Sequence, residues 1–324
     1  MSVAVLGGGA WGTALAQTSL RGGNRTTFWM RDAETARAIN ERHENPAYLP
    51  GIRLDDGLVA TADLDVAIAD ADCVLAVAPA QSLREVAGRL AGKLKPGIPV
   101  VICAKGIERD TGYRLSEVLR EMLPGHPPAS LSGPSFATDV ALGLPTAVTI
   151  AADSTDLAGS LARLISGPQF RCYSTDDLVG VEIGGALKNV LAIAAGAVMG
   201  VGLGASAQAA IVTRGFAELR RLGASYGARP ETLMGLSGLG DLVLTCGSAQ
   251  SRNFAWGLAL GRGDSRAGLK LAEGVATASI AARIASERGI AAPIADAVDR
   301  MIAGTLTIDQ AISDLLSRPL KAED

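Results

Sequence analysis

Lys188 stands in the middle of an apolar stretch, EIGGALKNVLAIAAGAVMG, and is the only charged residue between Glu182 and Arg214. A lysine whose pKa is lowered toward neutrality by burial or by another cation can act as a general acid–base. Two other interpretations are open: the side chain could snorkel to the surface, or the stretch could belong to a membrane span. On a helical period it shares a stripe with five small residues, Gly184, Gly185, Ala192, Ala195 and Gly196. The pattern predicts a helix face where a backbone or a small ligand comes close to a desolvated lysine.

Two further segments place polar side chains after predicted strands, where open α/β sheets bind ligands. CAKG (103–106) brings Lys105 to that edge, and it could equally be a solvated loop lysine. SGPSFA (132–137) resembles a turn into a helix, and Ser135 at such a start suits a phosphate or a carboxylate. The alternative for Ser135 is a plain helix N-cap. A third segment, VAPAQ (77–81), also follows a strand and could flank a nicotinamide.

The second half of the chain adds polar residues to an apolar background. GLSGLGDLVLTC places Asp241 and Thr245 four residues apart, hence on one face of a helix. SRN supplies Arg252 and Asn253, a guanidinium and an amide suited to phosphate. Glu273 stands before a glycine in LAEG. Each carboxylate near a lysine could be a simple ion pair, so composition alone assigns no roles.

GGGAWG (7–12) fits the GxGxxG pattern, directly after a strand-like run and at the start of an apolar helix. In such a loop Gly7 makes the tight turn, Gly9 lets the backbone approach a pyrophosphate, and Gly12 lets the helix pack on the strand. The helix N-terminus then receives the anion. The motif alone is weak, but its position at the start of a βαβ unit predicts a dinucleotide site.

Arg31 followed by Asp32 ends the second predicted strand. A site selective for NAD would offer a carboxylate there, whereas an arginine can pair with the 2′-phosphate of NADP. The alternative is a surface arginine beside a helix N-cap aspartate. The pair therefore favours NADP(H) without excluding NAD(H).

The predicted secondary structure that positions these residues changes once along the chain, from alternating strands and helices to helices alone. Strands are predicted at 2–6, 26–30, 73–78, 99–104, 129–133, 146–151 and 170–174, and helices between them at 10–22, 32–42, 80–92, 111–122 and 155–166. Short apolar strands separated by helices indicate a mostly parallel sheet covered on both faces. From residue 177 we find Ala/Leu-rich helical patterns and no convincing strand. We predict an α/β Rossmann-type domain over 1–176 and an all-α domain over 177–324, with a frayed tail at SRPLKAED.

Composition limits the classes of partner. The formal net charge is −3 with both signs interspersed, which argues against nucleic acid or an anionic membrane. The four scattered cysteines (73, 103, 172 and 246) and two histidines support neither a metal site nor disulfides, so we expect buried, apolar cysteines. The chain opens into a strand-like run without a basic leader, which predicts no signal peptide. Val190–Val212 is uncharged and long enough to span a membrane, but GVGLG (200–204) predicts two buried helices instead.

Read together, the motifs resemble one family. GGGAWGTALA, AYLPG, AKGIE, LSGPSFA, GGALKN, TRGFAEL, GLGDLVLTC, SRN and AEG occur in the order typical of soluble, bacterial-type NAD(P)-dependent glycerol-3-phosphate dehydrogenases. The resemblance covers roughly residues 3 to 280. It implies a 6-phosphogluconate-dehydrogenase-like fold and reversible hydride transfer between NAD(P)H and dihydroxyacetone phosphate, giving sn-glycerol 3-phosphate for glycerophospholipid synthesis. It also implies a cytoplasmic homodimer.

The resemblance further implies roles for individual residues. Lys188 takes the position of the proton donor and acceptor, with Lys105, Asp241 and Thr245 completing the catalytic set. Substrate-site positions are Lys105, Gly133, Ser135, Lys188, Asp241, Ser251, Arg252 and Asn253. Cofactor positions are Gly7, Gly9, Ala10, Trp11, Gly12, Arg31, Lys105, Ala137, Arg252, Leu271 and Glu273. The chemistry agrees, because hydride addition to a ketone creates an alkoxide that needs a proton, and a distant phosphate clamp orients the substrate.

Two alternatives and one departure stand beside this interpretation. The chain could be another reductase of the same superfamily, acting on a hydroxy acid or keto acid, or a catalytically inactive NADP(H)-binding sensor. The combination of GLGDLxxTC with SRN disfavours the first. The presence of Lys188, Lys105, Asp241 and Arg252 together disfavours the second. The family commonly has GxN ahead of the AAxxTRG helix, whereas this chain has GAS, with Ser206 in place of asparagine.

Overall fold

The computed structural model describes residues 1–318, so residues 319–324 of the expected tail lie outside the described part of the chain. Two compact units form. The first comprises Met1–Gly185 and Glu231–Asp241, and the second comprises Ala186–Pro230 and the chain from Leu242 onward. The chain passes from one unit to the other three times, each time within a helix rather than in a linker.

The first unit is built on an eight-stranded sheet in the order β10-β9-β8-β7-β6-β1-β2-β5. A separate pair, β3 and β4, is antiparallel. The strands are β1 Ser2–Leu6, β2 Arg25–Trp29, β3 Glu44–Asn45, β4 Leu49–Arg53, β5 Val59–Thr61, β6 Cys73–Ala76, β7 Val100–Ile102, β8 Pro128–Ser132, β9 Thr146–Ala152 and β10 Phe170–Thr175. Neighbouring strands of the large sheet are parallel except β8 and β9, which are antiparallel. The predicted mostly parallel sheet is confirmed.

Helices cover both faces of this sheet. The helices up to the end of the sheet are α1 Ala10–Arg21, α2 Ala33–Arg42, α3 Leu64–Ile68, α4 Leu83–Leu90, α5 Leu115–Met122, α6 Ala137–Ala141 and α7 Thr155–Ile165. Alternate residues of β1 enter opposite cores: Val3 and Val5 join one cluster, and Ala4 and Leu6 join the other. Because both faces are buried, the strand is a continuous apolar run without polar alternation.

The remaining helices follow β10. They are α8 Leu178–Val201, α9 Gly204–Ser225, α10 Pro230–Met234, α11 Asp241–Cys246, α12 Arg252–Arg262, α13 Glu273–Glu287, α14 Pro293–Ile302 and α15 Ile308–Leu316, with a π-helical turn over Leu236–Gly240. Among the described residues no strand follows Thr175, as the sequence predicts.

The predicted break in the long apolar run is confirmed, because α8 ends at Val201 and α9 begins at Gly204. Within residues 1–318, α8 alone is long and apolar enough to cross a membrane, and 94% of its most apolar window is buried inside the protein. Such burial identifies a core helix. The prediction of two buried helices is wrong for the first half of α9, where residues 204–214 are half-buried or exposed. Its mostly small side chains there lose little by contact with water.

Several short elements differ from prediction. β3, β4, β5 and α3 are absent from the sequence-based assignment, because each is short and mixes polar with apolar residues. The predicted helix over 80–92 is a 3₁₀ turn, Ala80–Ser82, followed by α4. The helix predicted over 111–122 begins only at Leu115, where the Glu117 carboxylate accepts hydrogen bonds from the amide and the guanidinium of Arg114. Cys73, Cys103 and Cys246 are buried as expected, whereas Cys172 is half-buried.

Candidate functional site

The glycine-rich loop between β1 and α1 has the backbone that its sequence predicts. Gly7 has a φ of +135°, and a Cβ there would lie 2.6 Å from the carbonyl oxygen of Val77. A Cβ on Gly12 would lie 1.8 Å from the carbonyl oxygen of Gly7, so helix and loop touch through backbone alone. By contrast, a Cβ on Gly9 would meet no atom within 4 Å. The loop is therefore closed toward the protein and open on the side where Gly9 faces.

The first turn of α1 is prepared for an anion. Gly9 is the N-cap, no side chain caps the helix, and no acidic residue stands in the first turn. The amides of that turn have no partner within the helix and carry the positive end of its dipole. Ala10 and Trp11 are half-buried in the same turn. These features fit the pyrophosphate of a dinucleotide.

Arg31 and Asp32 follow β2 and differ in what they contact. The Asp32 carboxylate caps α2, accepting hydrogen bonds from the amides of Glu34 and Thr35 and from the Thr35 hydroxyl. The bonds from Thr35 lower the pKa of Asp32. Arg31 is exposed. The aspartate is thus engaged as the cap of α2, and Arg31 is an exposed cation beside it at the strand end.

Lys105 and Asp241 form a largely buried ion pair in the first unit. Nζ of Lys105 donates to Oδ2 of Asp241 at 2.6 Å and to the carbonyl oxygen of Gly133 at 3.2 Å. The Asp241 side chain is 2% exposed and the Lys105 side chain 17% exposed. Lys105 is therefore not a solvated loop lysine. An ammonium has three donors, so its third N–H is available to a ligand after these two contacts.

The backbone of α8 comes very close to this pair. A Cβ on Gly185 would lie 2.8 Å from Oγ of Ser132 and 3.4 Å from Cγ of Lys105. Ser132, the last residue of β8, is buried and its hydroxyl has no partner among the described residues. Sequence analysis missed Ser132, which stands directly before Gly133 of the predicted site.

Ser135 does not cap a helix. Its hydroxyl donates to the carbonyl oxygen of Gly133 at 3.0 Å, and the N-cap of α6 is Phe136. Ala137 is the first residue of α6, which has only five residues. The alternative that Ser135 is a helix N-cap is therefore wrong, whereas the predicted turn into a helix is confirmed, because α6 begins at Ala137.

Lys188 is buried in the second unit, with 5% of its surface exposed. Nζ of Lys188 donates to the hydroxyl of Thr245 at 2.5 Å, and Thr245 is itself 4% exposed. The side chain therefore does not snorkel. The lysine is therefore held inside the protein with its ammonium directed at the Thr245 hydroxyl.

The backbone of another helix packs directly against the small residues of α8. A Cβ on Gly196 would lie 2.1 Å from the carbonyl oxygen of Phe254, and a Cβ on Gly257 would lie 2.0 Å from that of Ile193. Helices α8 and α12 thus cross in direct backbone contact. The prediction that a backbone approaches this face is confirmed.

The SRN segment forms the start of α12. Ser251 is the N-cap, and its hydroxyl accepts from the amide of Phe254 at 3.2 Å. Arg252 is exposed at the first helical position. Asn253 donates from Nδ2 to Oδ1 of Asn189 at 2.9 Å and accepts at Oδ1 from the amide of Gly274 at 2.9 Å. Asn253 therefore links three helices, and one hydrogen of its Nδ2 remains for a ligand.

Asn189 is a second residue that sequence analysis missed. It is 4% exposed and directly follows Lys188 in the apolar helix, so its polarity was the available signal. Of the last predicted cofactor residues, Glu273 begins α13 and is half-buried, whereas Leu271 is 59% exposed in the preceding loop.

The structure thus brings the predicted residues together in two clusters. In the first unit Lys105, Gly133, Ser135 and Asp241 share hydrogen bonds. In the second unit Lys188 contacts Thr245, and Asn253 contacts the helix that Glu273 begins. Asp241 and Thr245 are the first and fifth residues of α11, hence one turn apart. Ser206, the departure from the family pattern, lies in the exposed first turn of α9.

Two family models match the chain. Residues 2–158 match the model described as NAD-dependent glycerol-3-phosphate dehydrogenase N-terminus, and residues 177–313 match its C-terminus. A glycerol-3-phosphate dehydrogenase (NAD(P)+) of Mesorhizobium japonicum is 64% identical over 321 residues, covering 99% of this chain and 93% of that protein.

Two solved structures resemble this chain over most of its length. The crystal structure of a glycerol-3-phosphate dehydrogenase from Coxiella burnetii superposes with a TM-score of 0.92 at 37% identity, covering 98% of this chain and 99% of that one. A ketopantoate reductase from Ralstonia eutropha superposes with a TM-score of 0.61 at 16% identity, covering 94% of this chain and 98% of that one. The second likeness concerns the fold alone.

Proposed function

Because the chain belongs to the family of NAD-dependent glycerol-3-phosphate dehydrogenases, we propose that it reversibly reduces dihydroxyacetone phosphate to sn-glycerol 3-phosphate with NADPH or NADH. The observation that carries the mechanism is the burial of Lys188, whose ammonium contacts the Thr245 hydroxyl on a helix face made of glycine and alanine. The relatives and both family models agree with this activity.

The cofactor supplies the hydride when it is bound. The open side of Gly9 and the uncapped first turn at Ala10 and Trp11 accept its pyrophosphate. Arg31 lies where a 2′-phosphate can be paired, which accommodates NADP(H) without requiring it. The remaining residues assigned to the cofactor are Gly7, Gly12, Lys105, Ala137, Arg252, Leu271 and Glu273.

Lys188 carries out the proton transfer. In the reducing direction its ammonium donates a proton to the alkoxide oxygen of the substrate, and in the oxidising direction the neutral amine takes the proton from the hydroxyl. The Thr245 hydroxyl accepts a hydrogen bond from Nζ and so fixes where the ammonium points. Since the site is buried, the charge that develops on the substrate oxygen is stabilised more strongly than in water.

Lys105 polarises the substrate carbonyl. Asp241 and the carbonyl of Gly133 hold two of its three N–H donors, which leaves the third for the substrate oxygen. The role of Asp241 in this proposal is to orient Lys105. Charge-assisted hydrogen bonds of this kind hold a donor in place before the reaction begins.

The phosphate of the substrate is bound away from the reacting carbon. Arg252, exposed at the start of α12, supplies a guanidinium, and Asn253 supplies its remaining Nδ2 hydrogen. Ser251, Ser135 and Gly133 complete the proposed substrate contacts. Binding energy from the phosphate is then available to orient the carbonyl.

The setting of the reaction is also part of the proposal. The chain is a cytoplasmic homodimer that makes sn-glycerol 3-phosphate for glycerophospholipid synthesis. Residues 1–176 bind the dinucleotide, and residues 177–324 bind the substrate and the second subunit.

The test follows NADPH absorbance after addition of dihydroxyacetone phosphate and is repeated with NADH. Turnover with at least one of them, and formation of sn-glycerol 3-phosphate, is expected. Ketopantoate serves as the control substrate, because the fold is shared with a ketopantoate reductase. Reduction of ketopantoate but not of the triose phosphate, or NADPH binding without any turnover, contradicts the proposal.

A further inference from the structure

The AYLPG segment takes part in none of the steps above, yet Asn45, two residues before it, is hydrogen-bonded to the glycine-rich loop. AYLPG follows β3 and includes the first three residues of β4, and these two strands form the antiparallel pair of the first unit. Asn45, the last residue of β3, is 0% exposed although it is polar. A fully buried amide is costly unless it makes hydrogen bonds, so its partners indicate its purpose.

Both partners of the Asn45 amide belong to the loop that precedes α1 or to its first turns. Nδ2 donates to the carbonyl oxygen of Gly8 at 3.0 Å and to the hydroxyl of Thr13 at 2.8 Å. The Thr13 hydroxyl in turn donates to the carbonyl oxygen of Gly9 at 2.9 Å. The carbonyl of Gly8 can only accept, and the hydroxyl of Thr13 already donates its hydrogen to the Gly9 carbonyl. The NH₂ group is therefore the only end of Asn45 that fits this position.

These bonds fix two consecutive peptide groups. In a trans peptide the C=O and the following N–H point in opposite directions. When the carbonyl of Gly8 is held toward Asn45, the amide of Gly9 points away from it. The carbonyl of Gly9, held by Thr13, sets the direction of the amide of Ala10 in the same way. These are the amides that face the proposed pyrophosphate.

A second contact holds the same segment against α1. Oε1 of Gln17 accepts from the amide of Asp55 at 3.0 Å, and Gln17 is 1% exposed. Thr13 and Gln17 stand four residues apart and so lie on one face of α1. Two of the four buried polar residues of α1 are thus used to bind the segment 45–55.

We propose that Asn45 is a positioning residue for the dinucleotide loop: it holds the Gly8 carbonyl directly and the Gly9 carbonyl through the Thr13 hydroxyl, so that the next amides are directed at the cofactor pyrophosphate before binding. The inference rests on the cofactor use proposed above. It also gives the AYLPG segment a role, since this segment places Asn45. Preorganisation of this kind raises affinity because less order has to be imposed on binding.

The experiment measures NADPH and NADH binding without any triose phosphate, by titration calorimetry or by fluorescence. Asn45→Ala removes both donors, and Asn45→Asp keeps the shape while placing an acceptor against the Gly8 carbonyl. Asn24→Ala is the matched control, because Asn24 is also buried but lies beyond the other end of α1, donating to Leu164. We expect Kd for the cofactor to rise about tenfold in Asn45→Ala, the effect of one or two lost hydrogen bonds. Asn45→Asp should be weaker still, and Asn24→Ala should bind like the wild type.

Two further readouts separate positioning from general stability. The KM for the cofactor should rise in Asn45→Ala while the KM for dihydroxyacetone phosphate stays within about twofold. Amide hydrogen exchange over residues 8–13 of the free protein should become faster in Asn45→Ala and stay unchanged in Asn24→Ala. A Kd for NADPH within twofold of the wild type in folded Asn45→Ala overturns the inference.

If Asn45→Ala does not fold, the Kd for NADPH is measured for Thr13→Val instead, and a value within twofold of the wild type again overturns the inference. This variant removes only the hydroxyl between Asn45 and the Gly9 carbonyl. The outcome is independent of the proposed reaction. A wild-type protein that binds NADPH but does not reduce the triose phosphate refutes the proposed function and leaves this binding comparison intact.

Discussion

Nζ of Lys105 lies 2.6 Å from Oδ2 of Asp241, a residue 136 positions later in the chain. Both belong to the first compact unit, although Asp241 follows two helices of the second. The carboxylate is almost fully buried, and the lysine follows β7 at the carboxyl edge of the sheet. The fold therefore returns the chain to the first unit to hold a cation at the edge where α/β sheets bind ligands.

Asp241→Asn tests the importance of this ion pair. The amide keeps the shape but removes the negative charge, so Lys105 loses the group that orients it. We expect kcat/KM for the triose phosphate to fall about 100-fold, the range seen when a preorganised electrostatic contact is lost. Asp153→Asn is the control, because Asp153 also pairs at 2.6 Å, with Arg120, but is 55% exposed. Its activity should be unchanged and its stability altered by less than about 1 kcal/mol. Equal activity of the two variants would remove Asp241 from the mechanism.

Gly196→Ala tests the direct contact between α8 and α12. Its Cβ would lie 2.1 Å from the carbonyl oxygen of Phe254 and 2.8 Å from the amide nitrogen of Leu258. Backbone atoms cannot move aside as a flexible side chain can, so α12 must shift. We expect a loss of about 1–3 kcal/mol in the free energy of unfolding, measured by urea denaturation. The control is Gly159→Ala in α7, whose new methyl group meets only the end of Arg163 at 3.5 Å. That variant should gain roughly 0.5–1 kcal/mol, and a Gly196→Ala protein of wild-type stability would contradict the close crossing.

Glu218→Gln tests a pH dependence of stability. The buried Glu218 carboxylate accepts from the amides of Ile294 and Ala295 at the start of α14. Burial raises its pKa from 4.5 to about 7, against the opposing effects of those amides and of Arg221 and Arg318. Because the folded state binds the proton more tightly, this contribution to stability is fully present below about pH 4.5 and is lost as the pH rises through 7.

The shift corresponds to about 3 kcal/mol between pH 4.5 and 8. Urea denaturation across that range should show the wild type losing about this much stability relative to Glu218→Gln, which cannot titrate. Glu287→Gln, at an exposed position, should follow the wild type. Parallel curves for the wild type and Glu218→Gln would show that Glu218 does not titrate in this range.

The strands that are buried on both faces of the sheet could be predicted from the sequence. β1 and β9 are continuous apolar runs, so a pattern read along the chain locates them to within one residue. β3 and β5 have only two and three residues, and they are defined by their pairing with β4 and β2. No local pattern carries that information.

The same distinction applies to the site. Gly7 and Gly12 were predictable because their motif is local and its physical demands are known. The Asn45 contacts with Gly8 and Thr13 join residues more than 30 positions apart, and a lone asparagine before a proline suggests only a turn. Ser135 shows the opposite error, since a local motif suggested a helix cap, and the structure places its hydroxyl on the Gly133 carbonyl.

Lys188→Ala tests the central claim most directly. NADPH oxidation with dihydroxyacetone phosphate is measured for this variant and for Lys93→Ala, an exposed lysine paired with Asp65. Cofactor Kd is measured on the same samples. The account predicts that Lys188→Ala loses about 1,000-fold or more in kcat, as expected for a general acid, while binding NADPH as the wild type does. Lys93→Ala should be fully active, and a Lys188→Ala enzyme with kcat within tenfold of the wild type would contradict the assignment of Lys188 as the proton donor.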